Sequence, residues 1–230
     1  MSRFYQSVLL ACLAATLAAC GNAVNGDVTA TGAGGSTVNG SVRVPAGLTS
    51  GAVSSVNGSI RIEEGATVAS AHAVNGEIDV GPRASVESVV TVNGSIRLAE
   101  AARIGGDAKS VNGEIALQKG VDVAGSVTTV DGSIDLVDAH VHGQLRTTAA
   151  SITVTGASHV DGGILVEKNA GSLFNTTTSS KPRITIGPGA VVGGTLRFER
   201  EVQLYVSDQA TVGPIEGATA IKFSGDKPPA

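Results

Sequence analysis

The sequence is poor in aromatic residues and in cysteine. Trp is absent, aromatic residues make up 3% of the 230 positions, and both cysteines, Cys12 and Cys20, fall within the first 20. The rest of the chain therefore has no thiol pair for a disulfide framework and no thiolate metal site. Charge is sparse as well. Asp, Glu, Lys and Arg make up 16%, with a net charge of −4, or −5 once a leader carrying Arg3 is removed and 15 basic residues face 20 acidic ones. A weakly acidic, unpatterned chain lacks the basic stripe that a phosphate backbone requires, so no nucleic-acid partner is expected. Helical periodicity is missing too, since no long window places apolar residues at spacings of three and four. What the chain has in quantity is glycine, 31 residues, within a composition that is 42% hydrophobic. This points to tight turns between thin aliphatic layers, in one domain or at most two.

The N-terminus reads as an address. Met1–Gln6 is short and carries Arg3, and Val8–Ala19 is a mostly apolar run of 12 residues. A stable membrane-spanning helix needs about 20 apolar residues, so the run fits the h-region of a secretory leader better. It ends in Leu17-Ala18-Ala19-Cys20, which resembles the lipobox of bacterial lipoproteins. That resemblance implies cleavage before Cys20, acylation of its thiol and new amine, and a membrane partner reached through the lipid. Each buried methylene contributes about 0.8 kcal/mol, and stable anchoring takes more than one chain. Gly21 follows the cysteine where an aspartate would mark inner-membrane retention, which implies the outer membrane as the location.

Beyond the leader the sequence repeats. Val38-Asn39-Gly40-Ser41-Val42-Arg43-Val44 returns at Val56–Ile62, Val74–Val80 and Val92–Leu98, and more loosely at Val111–Leu117 and Val130–Leu136, in steps of 18, 18, 18, 19 and 19. Val24-Asn25-Gly26 resembles an earlier copy but precedes the first clean one by only 14 residues. Within each repeat aliphatic residues recur every six positions, as in Val56, Ile62, Val68, Val74 and Val80. Three hexads make one coil. Alternation such as Ile60 in, Arg61 out, Ile62 in is the period-two mark of a strand with one buried face.

The fold class expected is all-β: a single-stranded parallel β-helix, or β-solenoid, of about 18 residues per coil and about nine coils, some 45 Å long at roughly 4.8 Å per strand. General crossover rules favour a right-handed rod, while clean hexads point to the left-handed alternative. The chain divides into a leader at 1–19, a lipidated N-terminus and lead-in at 20–37, the solenoid at 38–213 with an insertion loop near 163–183, and a tail at 214–230. Each first hexad residue, including the valine before Asn-Gly, is expected to point inward. The Asn-Gly pair is read as a corner at which both residues tolerate positive φ. Stacking then aligns Asn39, Asn57, Asn75, Asn93 and Asn112 as a ladder of side-chain amides. Asp131 continues the column with a carboxylate that cannot donate, so the ladder weakens there. The late aromatics Phe174, Phe198, Tyr205 and Phe223 are read as a cap or insertion over the last coils.

Three constellations bear on chemistry. His140 and His142 form a His-x-His pair, and His159 follows His140 by 19 residues, a spacing that suits a metal site. A stacked sheet also places solvated histidines this way, and no metal and no cofactor is expected. His72 sits in a clean hexad, as a histidine would in hexapeptide-repeat acyltransferases, but at an inward-leaning position. The carboxylates Glu77, Asp79, Glu114 and Asp135 are spread along the rod rather than paired as in a glycosidase. The Asn-Gly-Ser triplets match glycosylation sequons, but the turn accounts for them.

The repeated Val-Asn-Gly-Ser-Ile-Arg-Val unit resembles the putative-adhesin family of β-strand repeat proteins. The three-strand, 18-residue coil is also similar to bactofilins, polymer-forming β-helices. These resemblances imply architecture and carry over no catalytic residues. The function expected is a non-enzymatic envelope lipoprotein, a scaffold or adhesin-like surface module that self-associates or binds an envelope polysaccharide or protein. The alternative is a carbohydrate-binding or carbohydrate-active β-helix.

Overall fold

A computed structural model describes residues 22–168 and 181–229. Cys20, the leader, Phe174 and the middle of the expected insertion lie outside the described residues. The described chain is all-β, and every pairing between its strands is parallel and in register. One face of the solenoid is an eleven-stranded sheet running from Val28–Thr29 to Ala220–Phe223. The other two faces belong to an eighteen-stranded sheet, because Thr49–Asn57 and Thr67–Asn75 each run without interruption across both. Eleven rungs on the first face make about ten turns, one more than the repeat count suggests.

Alternation sets the core. On the first face Ile60, Ile78, Ile96, Ile115, Ile134 and Ile152 stack in one column, each at 0% exposure. Val44, Ile62, Val80, Leu98 and Leu117 form a second column two residues along. Val68, Val86, Ile104, Val123 and Val141 fill the second face. Between these columns the outward residues are mostly polar or charged. Arg43, Arg61, Asp79 and Arg97 stack in register. Asp79 lies 3.5 Å from Arg61 and 3.9 Å from Arg97, which pairs more closely with Glu77. Such exposed pairs contribute about 0–1 kcal/mol each, too little to drive the fold.

The structure corrects several sequence expectations. The valines before Asn-Gly do not join the main core. Val38 is 41% exposed, and Val92 and Val111 pack with Val90 against half-buried Val74 and Val130 in a separate cluster. The inward residues of the third face are instead Val53, Ala71 and Val89, with Ser55, Ala73 and Thr91 two steps on. Val86 and Val89 both point in although they are three positions apart, so the bend between faces shifts the strand parity by one. Of the Asn-Gly pair the glycine takes positive φ, +153° at Gly40, +156° at Gly58, +157° at Gly113 and, after Asp131, +113° at Gly132, but the asparagine does not. A second left-handed corner, not expected from the sequence, lies at Gly47, Gly65, Arg83, Ala101, Gly120 and Asp138. Varied residues fill that column, which hid it from a search for repeated letters.

The stack also extends beyond 38–213. Asn22–Asn25 pairs with Gly35–Asn39, and Asn25 aligns with Asn39. This first coil is short because Thr31 and Gly34 exchange two backbone hydrogen bonds, of 3.1 and 3.0 Å, where later coils have a second face. At the far end Ile215–Glu216 and Ala220–Phe223 complete a further coil without Asn-Gly. The expected insertion is narrower, since Ile164–Val166 is a stacked strand with Ile164 and Val166 buried. Phe198 is a core residue of the third face rather than part of a cap. Tyr205 is 9% exposed, beneath the Arg183 guanidinium at 4.6 Å.

Two kinds of glycine follow from this geometry. Gly65 has a φ of +66°, and a Cβ there would meet nothing within 4 Å. A Cβ at Gly58 would run into the carbonyl of Gly40 in the preceding coil. Gly65→Ala should therefore cost only the left-handed backbone penalty, about 1–2 kcal/mol. Gly58→Ala should cost more, because two coils must separate. Urea unfolding of the two variants tests this ordering, and equal losses would contradict it.

Candidate functional site

Three features of the rod surface stand out: the Asn-Gly corner, the acid–base contacts between coils, and a histidine cluster on the second face. At the corner each asparagine Nδ2 donates to the Oδ1 of the asparagine one coil earlier. Asn39 donates to Asn25, Asn57 to Asn39, Asn75 to Asn57 and Asn93 to Asn75, each at 2.9 Å, and Asn112 to Asn93 at 2.8 Å. All the dipoles run the same way, so the bonds polarise one another. The backbone repeats the pattern in reverse, as Gly58 N donates to Asn75 O and Gly76 N to Asn93 O, both at 3.1 Å.

Close stacking needs glycine here for lack of room, and it leaves the glycine carbonyls to be satisfied. Buried hydroxyls do this in part. Ser55 Oγ donates to Gly40 O at 2.9 Å, Thr91 Oγ1 to Gly76 O at 3.2 Å and Ser110 Oγ to Gly94 O at 3.2 Å. Asp131 lies in register above Asn112, but its Oδ1 accepts from the Gly132 amide at 2.8 Å. A carboxylate has no proton to give Asn112 Oδ1.

Other acids tie coils together through the backbone. Asp107 Oδ1 accepts from Ser126 N at 2.8 Å, and its Oδ2 binds Lys109 Nζ at 2.6 Å. Burial alone would raise this carboxyl. The Lys109 and Ser126 hydrogen bonds, with the charges of Lys109 and Arg146, outweigh it and hold the group below its ordinary value. Asp138 Oδ1 likewise accepts from Ala157 N at 2.8 Å. Of the dispersed carboxylates, Glu77 and Asp79 face arginines and Asp135 accepts from Ser133 Oγ at 2.7 Å. Glu114 stands on the first-face corner two coils after Glu77.

The four histidines separate into one and three. His72 is half-buried on the outer side of the third face, in register between Ser54 and Val90. Desolvation pushes its imidazole below the ordinary value, and its Nδ1 makes no hydrogen bond. His140, His142 and His159 gather on the second face. His140 stacks on Asp122 and beneath His159 in register. Val141 and Val160 point inward at 0% exposure, so His142 and Asp161, one step past them, return to the outer surface. Asp161 sits among the three rings. Its Oδ2 is 3.2 Å from His140 Nε2 and 3.1 Å from His142 Nδ1, and its Oδ1 is 2.9 Å from His159 Nε2. His142 Nε2 is 3.6 Å from Asp122. Slight burial raises the Asp161 carboxyl, but the His140 hydrogen bond and the three imidazole charges hold it below its ordinary value.

Sequence reasoning found the three histidines but missed both aspartates. The signal was present: Asp161 follows His159 by two, as His142 follows His140, and Asp122 precedes His140 by one coil.

Comparison with protein families, with curated proteins and with solved structures finds no match. The parallel β-solenoid is consistent with a β-helix repeat protein.

Two outcomes follow from the corner and the acid contacts. Asp131→Asn supplies the missing donor to Asn112 and should stabilise the protein by about 1 kcal/mol, whereas Asn75→Ala should destabilise it by a similar amount or more. Thermal melts of both variants check this. Asp107 has a depressed folded value, so its stabilisation is present above the ordinary carboxylate range and is lost as pH falls through the folded value. Asp107→Asn should flatten the acid limb of a stability-against-pH curve, and an unchanged limb would refute the assignment.

Proposed function

We propose that this protein is a lipid-anchored scaffold of the bacterial cell envelope, held to the outer membrane through Cys20 and presenting the solenoid as a non-enzymatic surface module. The observation that carries the reading is what the repeat conserves from coil to coil. The residues that recur are those that build the rod: inward aliphatics, corner glycines that allow close approach and the asparagine ladder. Repeats of this kind propagate a shape. Outward positions are less constant, as Arg43, Arg61, Asp79, Arg97 and Ala116 show along one column.

The N-terminal end supports the anchor. Val24 is 70% exposed and Val38 41%, and Val24 lies four residues after Cys20. Apolar side chains at that end suit a position against lipid. Among the described residues no helix is long and apolar enough to cross a membrane.

The anchor is tested by metabolic labelling of the full chain in cells with radiolabelled palmitate. The chain should take up label, and Cys20→Ser should abolish it. An unlabelled parent chain, or label retained in the variant, would rule the anchor out. Electron microscopy with a glycan-binding screen tests the scaffold: rods associating with one another or with the envelope support it, and monodisperse particles that bind a defined glycan would overturn it.

A further inference from the structure

We propose that His140, His142, His159 and Asp161 form a binding site for a divalent transition-metal ion of the zinc type, with Asp122 orienting His142. The proposal stands on the geometry of the second face and does not depend on the envelope reading. Three of the chain's four histidines converge on one carboxylate from two adjacent strands. Their nitrogens lie 2.9–3.2 Å from the Asp161 oxygens. A tetrahedral ion bound at about 2.0–2.1 Å holds its ligands about 3.3 Å apart. Each histidine thus stands near that spacing from the shared carboxylate, two through Oδ2 and one through Oδ1, and side-chain rotations would bring the nitrogens toward a common centre.

The backbone keeps this arrangement in place. His140 and His142 flank inward Val141, and His159 and Asp161 flank inward Val160, so all four project from a sheet locked by coil-to-coil hydrogen bonds. His140 N donates to Val121 O at 2.8 Å and His159 N to Ala139 O at 2.9 Å. The donor atoms of His140, His159 and Asp161 all lie within 4.8 Å of one another, as do those of Asp122, His140 and His142. Asp122 faces the second nitrogen of His142 at 3.6 Å, where an acid fixes the tautomer and ring orientation of a metal-bound imidazole. Three imidazoles with one carboxylate form a borderline donor set that suits zinc, nickel or copper better than calcium or magnesium. Side-chain exposures of 37–46% leave the cluster open to solvent, so an ion can enter without local unfolding.

The position suggests what the ion does. The last asparagine-to-asparagine bond joins Asn112 to Asn93, and the ladder ends at Asp131. Asp122 precedes Asp131 in the same coil, and His140 and His159 occupy the next two. An ion held by His140 and His142 from one coil and by His159 and Asp161 from the next would cross-link consecutive coils just beyond the end of the ladder.

The test is zinc titration by calorimetry of the full chain in detergent after stripping with a chelator. One zinc per chain should bind, and the melting temperature should rise with zinc concentration. His142→Ala and His159→Ala should each weaken binding by more than about tenfold, and Asp122→Asn by about tenfold, the scale expected of an orienting acid. His72→Ala should leave binding unchanged. All these side chains point outward or are half-exposed, and circular dichroism of each variant checks that it folds. Cobalt in place of zinc should give the intense visible absorption of a tetrahedral site. Binding that saturates only at millimolar zinc, that survives the His142→Ala/His159→Ala double variant, or that is lost equally in His72→Ala would overturn the proposal.

Discussion

The structure depends on parallel strands in register, each coil bonded through its backbone to the coils on either side. Every other feature is a consequence of that constraint. Identical positions of successive coils fall directly over one another, so a residue that suits one coil suits its neighbour. Aliphatic columns, amide ladders and hydroxyl–carbonyl caps are the solutions that repetition selects, because each can be extended without limit. The same closeness makes the corner intolerant. Where Gly58 passes the carbonyl of Gly40 there is no room for a methyl group, whatever the local turn prefers.

Much of this was legible in the sequence. The period of 18 or 19 and the Ile-Arg-Ile alternation revealed parallel coils, because both express a spacing that the backbone imposes. The errors came where spacing and geometry part company. A six-residue recurrence suggested that Val56 and Val74 point inward like Val68, yet the bend after Val68 shifts parity and brings Ala71 in instead. The second left-handed corner was hidden because Gly65, Arg83, Ala101 and Gly120 share a backbone conformation without sharing a side chain. Asn-Gly looked like a turn for the φ preferences of both residues; the glycine does take positive φ and also allows contact between coils, whereas the asparagine serves the ladder.

The ends and the histidine site were harder to read for a related reason. The first coil drops one face and the last has no Asn-Gly, so neither meets a test of period or motif. Histidines at 140 and 159 were visible as one column, but Asp161 becomes their partner only when alternation within a strand and stacking between strands are applied together. In a solenoid a cluster forms from side chains two apart along the chain and 18 or 19 apart between coils. A search that follows only one of these spacings finds half of it.

Trans-hydrogen-bond scalar couplings in an isotope-labelled, deuterated sample test the stacking most directly. The account predicts couplings from the amide of Ile60 to the carbonyl of Glu77, from Ile78 to Ser95 and from Ile96 to Glu114, donor–acceptor pairs at 2.8–2.9 Å. Couplings from these amides to carbonyls four residues earlier, or to strands running antiparallel, would contradict it.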